Sequence, residues 1–361
     1  MSMPTAVLLS FRLGGADGVS VEARKWEWAL RELGFDTRRV AGELTDGLRP
    51  NDTWLAFLAI DPAEGAHSEP DALAAALAGA DVVIVENLCS LPLNLTASTV
   101  AADVLLAHDG RVVFHHHDLP WERRHLAHIT HLPPQRPNSL HVTINDGARR
   151  ALGARGIEAH LIRNAFDLEP PTGDREATRS QLGFGPNDIV VLQPTRAIPR
   201  KEVGLGIQFA EVLGKHVPGH TIRYWLTGPA EDGFDTELDR LVMHTSVSVT
   251  QGRAPRAEDA YAAADVVVFP SSWEGFGNPV IEATVAGIPV AVGRYPALDE
   301  LIDLGLQLLS IDDPAAVAQR LASPDPATRA ANDACLKANF DLVDLPGRLR
   351  DAFAAVGWTR W

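Results

Sequence analysis

The stretch Ala264-Asp265-Val266-Val267-Val268-Phe269-Pro270-Ser271-Ser272-Trp273-Glu274-Gly275-Phe276-Gly277-Asn278-Pro279-Val280-Ile281-Glu282 decides the fold. The apolar run up to Pro270 predicts a strand buried on both faces of a parallel sheet. Gly275, Gly277 and Pro279 exclude one continuous helix from Glu274 to Glu282. Asn278-Pro279 predicts an N-cap followed by a first-turn proline. Glu282 then falls in the first turn of a short helix that Gly287 ends. Glu274 sits on the glycine loop and Glu282 on the helix, both at the mouth of one sheet. Two carboxylates beside open backbone N–H groups suit a sugar joined to a phosphate: carboxylates hold hydroxyls while amides receive the anion.

Outward from this stretch, strand-like runs alternate with helical patterns along the whole chain. The first half offers Ala6–Phe11, Asp81–Glu86, Arg111–His117 and His141–Asn145. The second offers Ile189–Thr195, Thr221–Thr227, Val247–Gln251, Val266–Pro270, Ile288–Val292 and Leu306–Ile311. Helices are expected between them, among them Ser20–Leu33, Asp146–Arg155, Glu202–Leu213 and Ala257–Ala263. Such alternation predicts an α/β protein with parallel sheets covered on both faces. A chain of 361 residues exceeds one usual core, and Glu169-Pro170-Pro171-Thr172-Gly173-Asp174 interrupts the pattern near its middle. The expected organisation is two Rossmann-like, doubly wound domains facing a cleft, 1–165 and 166–335. A helical tail, 336–361, packs back on the first.

An apolar fraction of 46% with 22% charged residues describes an ordinary globular protein. The net charge of −15 argues against nucleic acid as a partner and disfavours peripheral contact with anionic membranes. No apolar stretch approaches the length of a membrane span. Cys89 and Cys335 are the only cysteines and lie far apart, and no signal peptide precedes Thr5–Phe11. A cytoplasmic setting is therefore expected. The sequon at Asn94 is read as chance.

Candidate ligand-binding residues gather where strands end. Arg196 closes the first strand of the second half, and Lys201 stands where a helix begins, opposing its macrodipole. Together with backbone amides they form a candidate diphosphate clamp. Gly228, Gly252 and Arg253 lie at later strand ends on the ligand side. In the first half, Gly14, Gly15 and Gly18 form a loop between strand and helix but not a dinucleotide fingerprint.

Seven of the thirteen histidines lie between His115 and His141. Alternation along a strand prevents His115, His116 and His117 from facing one metal together, so no metal is expected. One of them, oriented by Asp118, is expected to meet a sugar hydroxyl.

The chain resembles the family 4 retaining glycosyltransferases of GT-B architecture. Glu274 and Glu282 match the family's E-x7-E motif, and Ala264–Ser271 its "ADVFVxPS" strand. Ala286-Gly287-Ile288-Pro289-Val290, Arg196, Lys201 and the junction Leu161–Asp167 match as well. The first half matches more loosely, through its glycine loop and His117-Asp118. The resemblance implies a hexose, glucose or mannose, moved from a GDP- or UDP-linked donor to an acceptor hydroxyl with retention, and without a cofactor or metal. It implies that Glu274, Gly275, Phe276, Gly277 and Asn278 hold the donor sugar and that Glu282 holds the ribose. Arg196 and Lys201 would bind the diphosphate, His117 the sugar or acceptor, and Gly15 and Gly18 the donor phosphates.

The sequence departs from the family at Glu202, at Pro194-Thr195 and at Pro296-Ala297, each where glycine is usual. A nucleotide-sugar epimerase or hydrolase, or a non-catalytic sugar-binding protein, stays open beside the transferase. The expected acceptor is small and soluble or a carbohydrate, its charge left open between neutral and anionic, and its candidate contacts are Asp118, Arg123, Arg124 and Arg136. Arg24, Lys25, Trp26 and Trp28 on the first helix form an alternative interfacial face.

Overall fold

The computed structural model describes residues 3–359, which divide into two compact units. The first runs to Ala165 and resumes at Leu342, and the second spans Phe166–Asp341. The first unit holds β1 (Thr5–Leu13), β2 (Asp36–Leu44), β3 (Thr53–Trp54), β4 (Val82–Glu86), β5 (Arg111–His116), β6 (Ser139–Thr143) and β7 (Ala159–Leu161). Its helices are α1 (Gly18–Glu32), α2 (Pro70–Leu77), α3 (Leu95–Ala107) and α4 (Asp146–Gly153). Every strand pair is parallel, in the order β3-β2-β1-β4-β5-β6-β7.

The second unit holds β8 (Asp188–Gln193), β9 (Thr221–Leu226), β10 (Ser248–Gln251), β11 (Val266–Phe269), β12 (Val290–Val292) and β13 (Leu309–Ser310). They order as β10-β9-β8-β11-β12-β13, again all parallel. Its helices are α5 (Arg175–Gln181), α6 (Val203–His216), α7 (Asp235–His244), α8 (Ala257–Ala263), α9 (Asn278–Val285), α10 (Pro296–Asp303), α11 (Pro314–Ala322) and α12 (Pro326–Asn339).

The central strands β4 and β11 are buried at every position, as sheets with helices on both faces require. Helix α1 is capped by Asp17, whose Oδ1 accepts from the Ser20 amide at 3.2 Å. It turns Ala23, Trp26, Ala29 and Leu30 onto the sheet, so Trp26 is a core residue rather than part of an interfacial face. Helix α13 (Leu345–Ala355) adds Leu345, Leu349 and Phe353 to that same core. The returning segment starts at Leu342, not at 336. The reason is that α12 runs unbroken through Cys335 and Leu336, both buried, and packs on α9 within the second unit. Among the described residues no helix is long and apolar enough to cross a membrane.

Strands β2, β3 and β7 fall outside the runs expected from sequence. In β2 the cause is charge: Arg38-Arg39 interrupts the apolar pattern. Arg39 is nevertheless only 3% exposed, because its guanidinium reaches Asp46 at 2.7 Å, Asp52 at 2.6 Å and the Gly47 carbonyl at 2.9 Å. Arg39→Met should destabilise the protein by about 3–5 kcal/mol, because it leaves the Asp52 carboxylate buried and unpaired. Chemical denaturation of the two proteins checks it.

Candidate active site

In a doubly wound sheet the loops part where strand order reverses, and ligands bind at the carboxyl ends there. In the second unit that point lies between β8 and β11. The loop after β8 carries Arg196 through Lys201, and the loop after β11 carries Ser271 through Gly277. Gln193, fully buried, ties the strand end to the basic turn, its Nε2 donating to Thr195 Oγ1 at 3.1 Å and to the Lys201 carbonyl at 2.9 Å. Pro199–Lys201 forms a single 3-10 turn, and Glu202 follows in the left-handed region at φ 49°, where the resemblance has glycine.

This turn delivers two cations to Glu274. Lys201 Nζ pairs with Glu274 Oε1, while Arg200 Nη1 donates to Glu274 Oε2 and to the Trp273 carbonyl, each at 3.0 Å. Burial pulls the Lys201 pKa down to about 8 against the opposing pull of Glu274. Arg196 lies apart from this triad and pairs with Glu231 at 2.6 Å, both half-buried. Gly228 is required there by close approach: a Cβ would stand 2.5 Å from Arg196 Cα. Gly252 has φ 129°, and Arg253 is exposed.

Helix α9 begins one residue earlier than expected. Gly277, at φ 107°, is its N-cap, Asn278 is the first helical residue and Pro279 the second. Glu282 therefore stands in the second turn, where its Oε2 accepts from Tyr261 Oη at 2.6 Å. The Phe276 side chain is buried between Phe166 and Phe340, at centroid distances of 6.2 and 5.8 Å. It anchors the glycine loop. Under the loop lies Tyr295, whose buried hydroxyl has no hydrogen-bond partner and would sit 2.4 Å from a Cβ at position 277.

The first unit reverses between β1 and β4. The loop after β1 contains Gly14 at φ 82°, Gly15, whose carbonyl accepts from Arg24 Nη1 at 2.6 Å, and Gly18, which opens α1. At the end of β4 stands Glu86, fully buried. Its Oε2 bonds both His115 Nδ1, at 2.8 Å, and His117 Nε2, at 2.9 Å. His116 points the other way, to Ser90 Oγ at 2.6 Å and His141 Nδ1 at 3.0 Å, as strand alternation demands. Glu86, His115 and His117 are the one group among the described residues whose ligand atoms converge enough for a metal ion, within 4.8 Å. Here they bond one another directly.

Of the candidate acceptor contacts, Asp118 lies 3.6 Å from Arg123 and takes its backbone position from Asn87 Oδ1, while Arg124 is exposed. Arg136 is withdrawn from that role, since its guanidinium donates to the His108 and Gly110 carbonyls. Sequence reasoning passed over Arg200, Glu231, Tyr295 and Glu86. Arg200 adjoins Lys201 in the basic turn, and Glu86 is the one carboxylate ending an otherwise apolar strand, so both left a readable signal.

Residues 194–323, which include both loops of the second switch point, match the family described as glycosyl transferases group 1. The chain is a GT-B glycosyltransferase. It is 27% identical to the mannosylglucosylglycerate synthase of Thermotoga maritima, over 85% of this chain and 84% of that one. Over 39% of its length, and 35% of the relative's, it is 31% identical to the D-inositol 3-phosphate glycosyltransferase of Nocardia farcinica. Among solved structures, Anabaena Alr3699/HepE in complex with UDP-glucose superposes with a TM-score of 0.73 at 18% identity, over 97% of this chain and 99% of that one. Sucrose-phosphate synthase from Thermosynechococcus elongatus gives 0.70 at 18%, over 98% and 100%.

Two substitutions probe the loop that this glycosyltransferase builds over Tyr295. Tyr295→Phe should leave the ligand-free protein as stable or about 1 kcal/mol more stable, since it removes a buried hydroxyl without a partner. Gly277→Ala should cost about 2 kcal/mol or more, from its positive φ and the contact with Tyr295. Thermal melts of the two variants against the parent protein check both.

Proposed function

We propose that the chain is a retaining hexosyltransferase that moves glucose or mannose from a nucleotide-diphospho-sugar to a hydroxyl of a small, anionic, soluble or carbohydrate acceptor. The observation that carries this reading is the Lys201–Glu274–Arg200 triad at the second switch point, beside the N-terminus of α9. A diphosphate draws on Lys201, Arg196 and the loop amides, and the carboxylate of Glu274 accepts from donor sugar hydroxyls. Glu282, oriented by Tyr261, accepts from the ribose. As the glycosidic bond breaks, negative charge grows on the departing diphosphate, and cations already in place stabilise it without reorganisation. The leaving phosphate takes the acceptor's proton, so no carboxylate nucleophile and no metal enters the scheme.

The names of the relatives support an anionic acceptor: one contains glycerate, the other inositol 3-phosphate. HepE, solved with UDP-glucose, supports a nucleotide-hexose donor. Two free, buried cysteines are consistent with a cytoplasmic setting.

Incubation with UDP- and GDP-hexoses, with and without glycerate- or phosphate-bearing sugars, tests the proposal. Release of nucleotide diphosphate that requires acceptor is expected, and release with none of them overturns it. Glu274→Ala should lower turnover by about 100-fold or more while sparing affinity for the bare nucleotide diphosphate. Glu282→Ala should weaken nucleotide binding itself. Isothermal titration beside steady-state kinetics separates the two.

Lys201 adds a pH dependence. Its lowered pKa of about 8 means the ammonium is present below that pH and lost above it. Nucleotide diphosphate affinity of the free enzyme should therefore fall as pH rises through about 8, and Lys201→Arg should abolish that fall.

A further inference from the structure

A buried cluster of ionisable groups lies beneath α1. Glu22 and Lys25 reach it from α1, Glu86 from β4, and His115 and His117 from β5 and its end, with Asp118 following. Behind them His116 and His141 form a separate pair. Three polar atoms in the cluster, Glu22 Oε2, Glu86 Oε1 and His115 Nε2, are buried with no partner. His115 is locked in place by Trp26, stacked at 4.0 Å, and has no exposure, so it meets no ligand. His117 keeps 6% exposure and stands at the carboxyl edge of the sheet.

We propose that Glu86 is a positioning residue: it holds His117 by Nε2–H and keeps that ring an imidazolium, so Nδ1–H is presented as a charged donor to a substrate oxygen. The inference rests on the transferase reading only for which substrate His117 meets. A carboxylate oxygen has lone pairs for two donors, and here Oε2 receives both imidazoles. His115 fills one place as a neutral ring donating through Nδ1, since burial drives its pKa down. Burial opposes charge on His117 as well, but the bond and charge of Glu86, followed by Glu22 and Asp118, prevail and raise its pKa. Glu86 in turn is held down to about 2: burial would raise it, and the two rings more than reverse that. Lys25 pairs with Glu22 at 2.5 Å, so the ammonium nearest the cluster is already matched and does not discharge His117. A cationic N–H at this edge favours an anionic or hydroxyl oxygen over any apolar group.

The sign is fixed by these partners. The charged ring persists below the raised pKa of His117 and is lost above it, so turnover declines on the alkaline side. Glu86→Gln removes the charge but keeps the shape, and should move that alkaline limb down by about one pH unit while lowering kcat more than it raises KM. Nucleotide diphosphate binding, which reports Lys201, should keep its own pH dependence in the variant. An alkaline limb that stays at its wild-type position in an active Glu86→Gln enzyme overturns the proposal.

Imidazole nitrogen NMR of the wild-type chain, without substrate, decides the question even where that variant does not fold. His117 should carry both protons in most molecules at pH 6.5, and a mostly neutral His117 at that pH overturns the proposal. Absence of transfer with every nucleotide sugar would instead sink the functional reading and leave the charge state of His117 standing.

Discussion

A parallel strand must be followed by a crossover, and crossovers to the two faces of a sheet diverge where strand order reverses. That geometric constraint fixes where each unit can hold a ligand. In the first unit the gap opens between β1 and β4, and in the second between β8 and β11. Four of the charged side chains described above stand at or beside those gaps. The β8 turn brings Arg200 and Lys201, the β11 loop brings Glu274, and the end of β4 brings Glu86. Because the strands are buried on both faces, their ends are the places where polar groups meet solvent or ligand without breaking the core.

The same constraint explains why the two sites are built of opposite charges in contact. A carboxylate or ammonium at a strand end is half withdrawn from water, and it stays ionised only beside a partner. Glu274 is matched by Arg200 and Lys201, and Glu86 by His117, with the neutral His115 ring donating to the same oxygen. Each pairing also restricts where the charge points. Gln193 fixes the backbone of the basic turn, and Trp26 fixes the inner histidine, so neither pair relies on an exposed, mobile side chain.

The division into strands and the second switch point were readable because both follow from local pattern. Val266–Phe269 is unbroken apolar sequence, and glycine and proline after it leave few conformations. The turn holding Arg196 and Lys201 was readable from a lysine set against a helix dipole. What escaped was whatever depends on partners distant in sequence. Strand β2 is hidden by Arg39, whose charge makes sense only once Asp46 and Asp52 fold round it. Glu86 looks like the polar end of a strand until β5 pairs beside it and sets His115 against it. Phe276 reads as a ligand contact in a glycine loop, yet its ring belongs to a cluster with Phe166 and Phe340, the latter far along the chain. The start of α9 shifted by one residue because glycine at φ 107° can end a loop where asparagine would have to cap it.

Pairing in the ligand-free protein also bears on how a donor could bind. An anion arriving at Lys201 competes with Glu274 for the same ammonium, so binding is an exchange of partners rather than a gain of one. The exchange is favourable if the carboxylate finds new donors at the same time, and sugar hydroxyls are such donors. A bare diphosphate offers the ammonium a partner but leaves Glu274 with Arg200 alone. On the proposed reading, a diphosphate carrying a hexose would satisfy both sides. Selectivity for the intact donor over its product would then follow from charge balance within the triad, before any contact specific to one hexose is made.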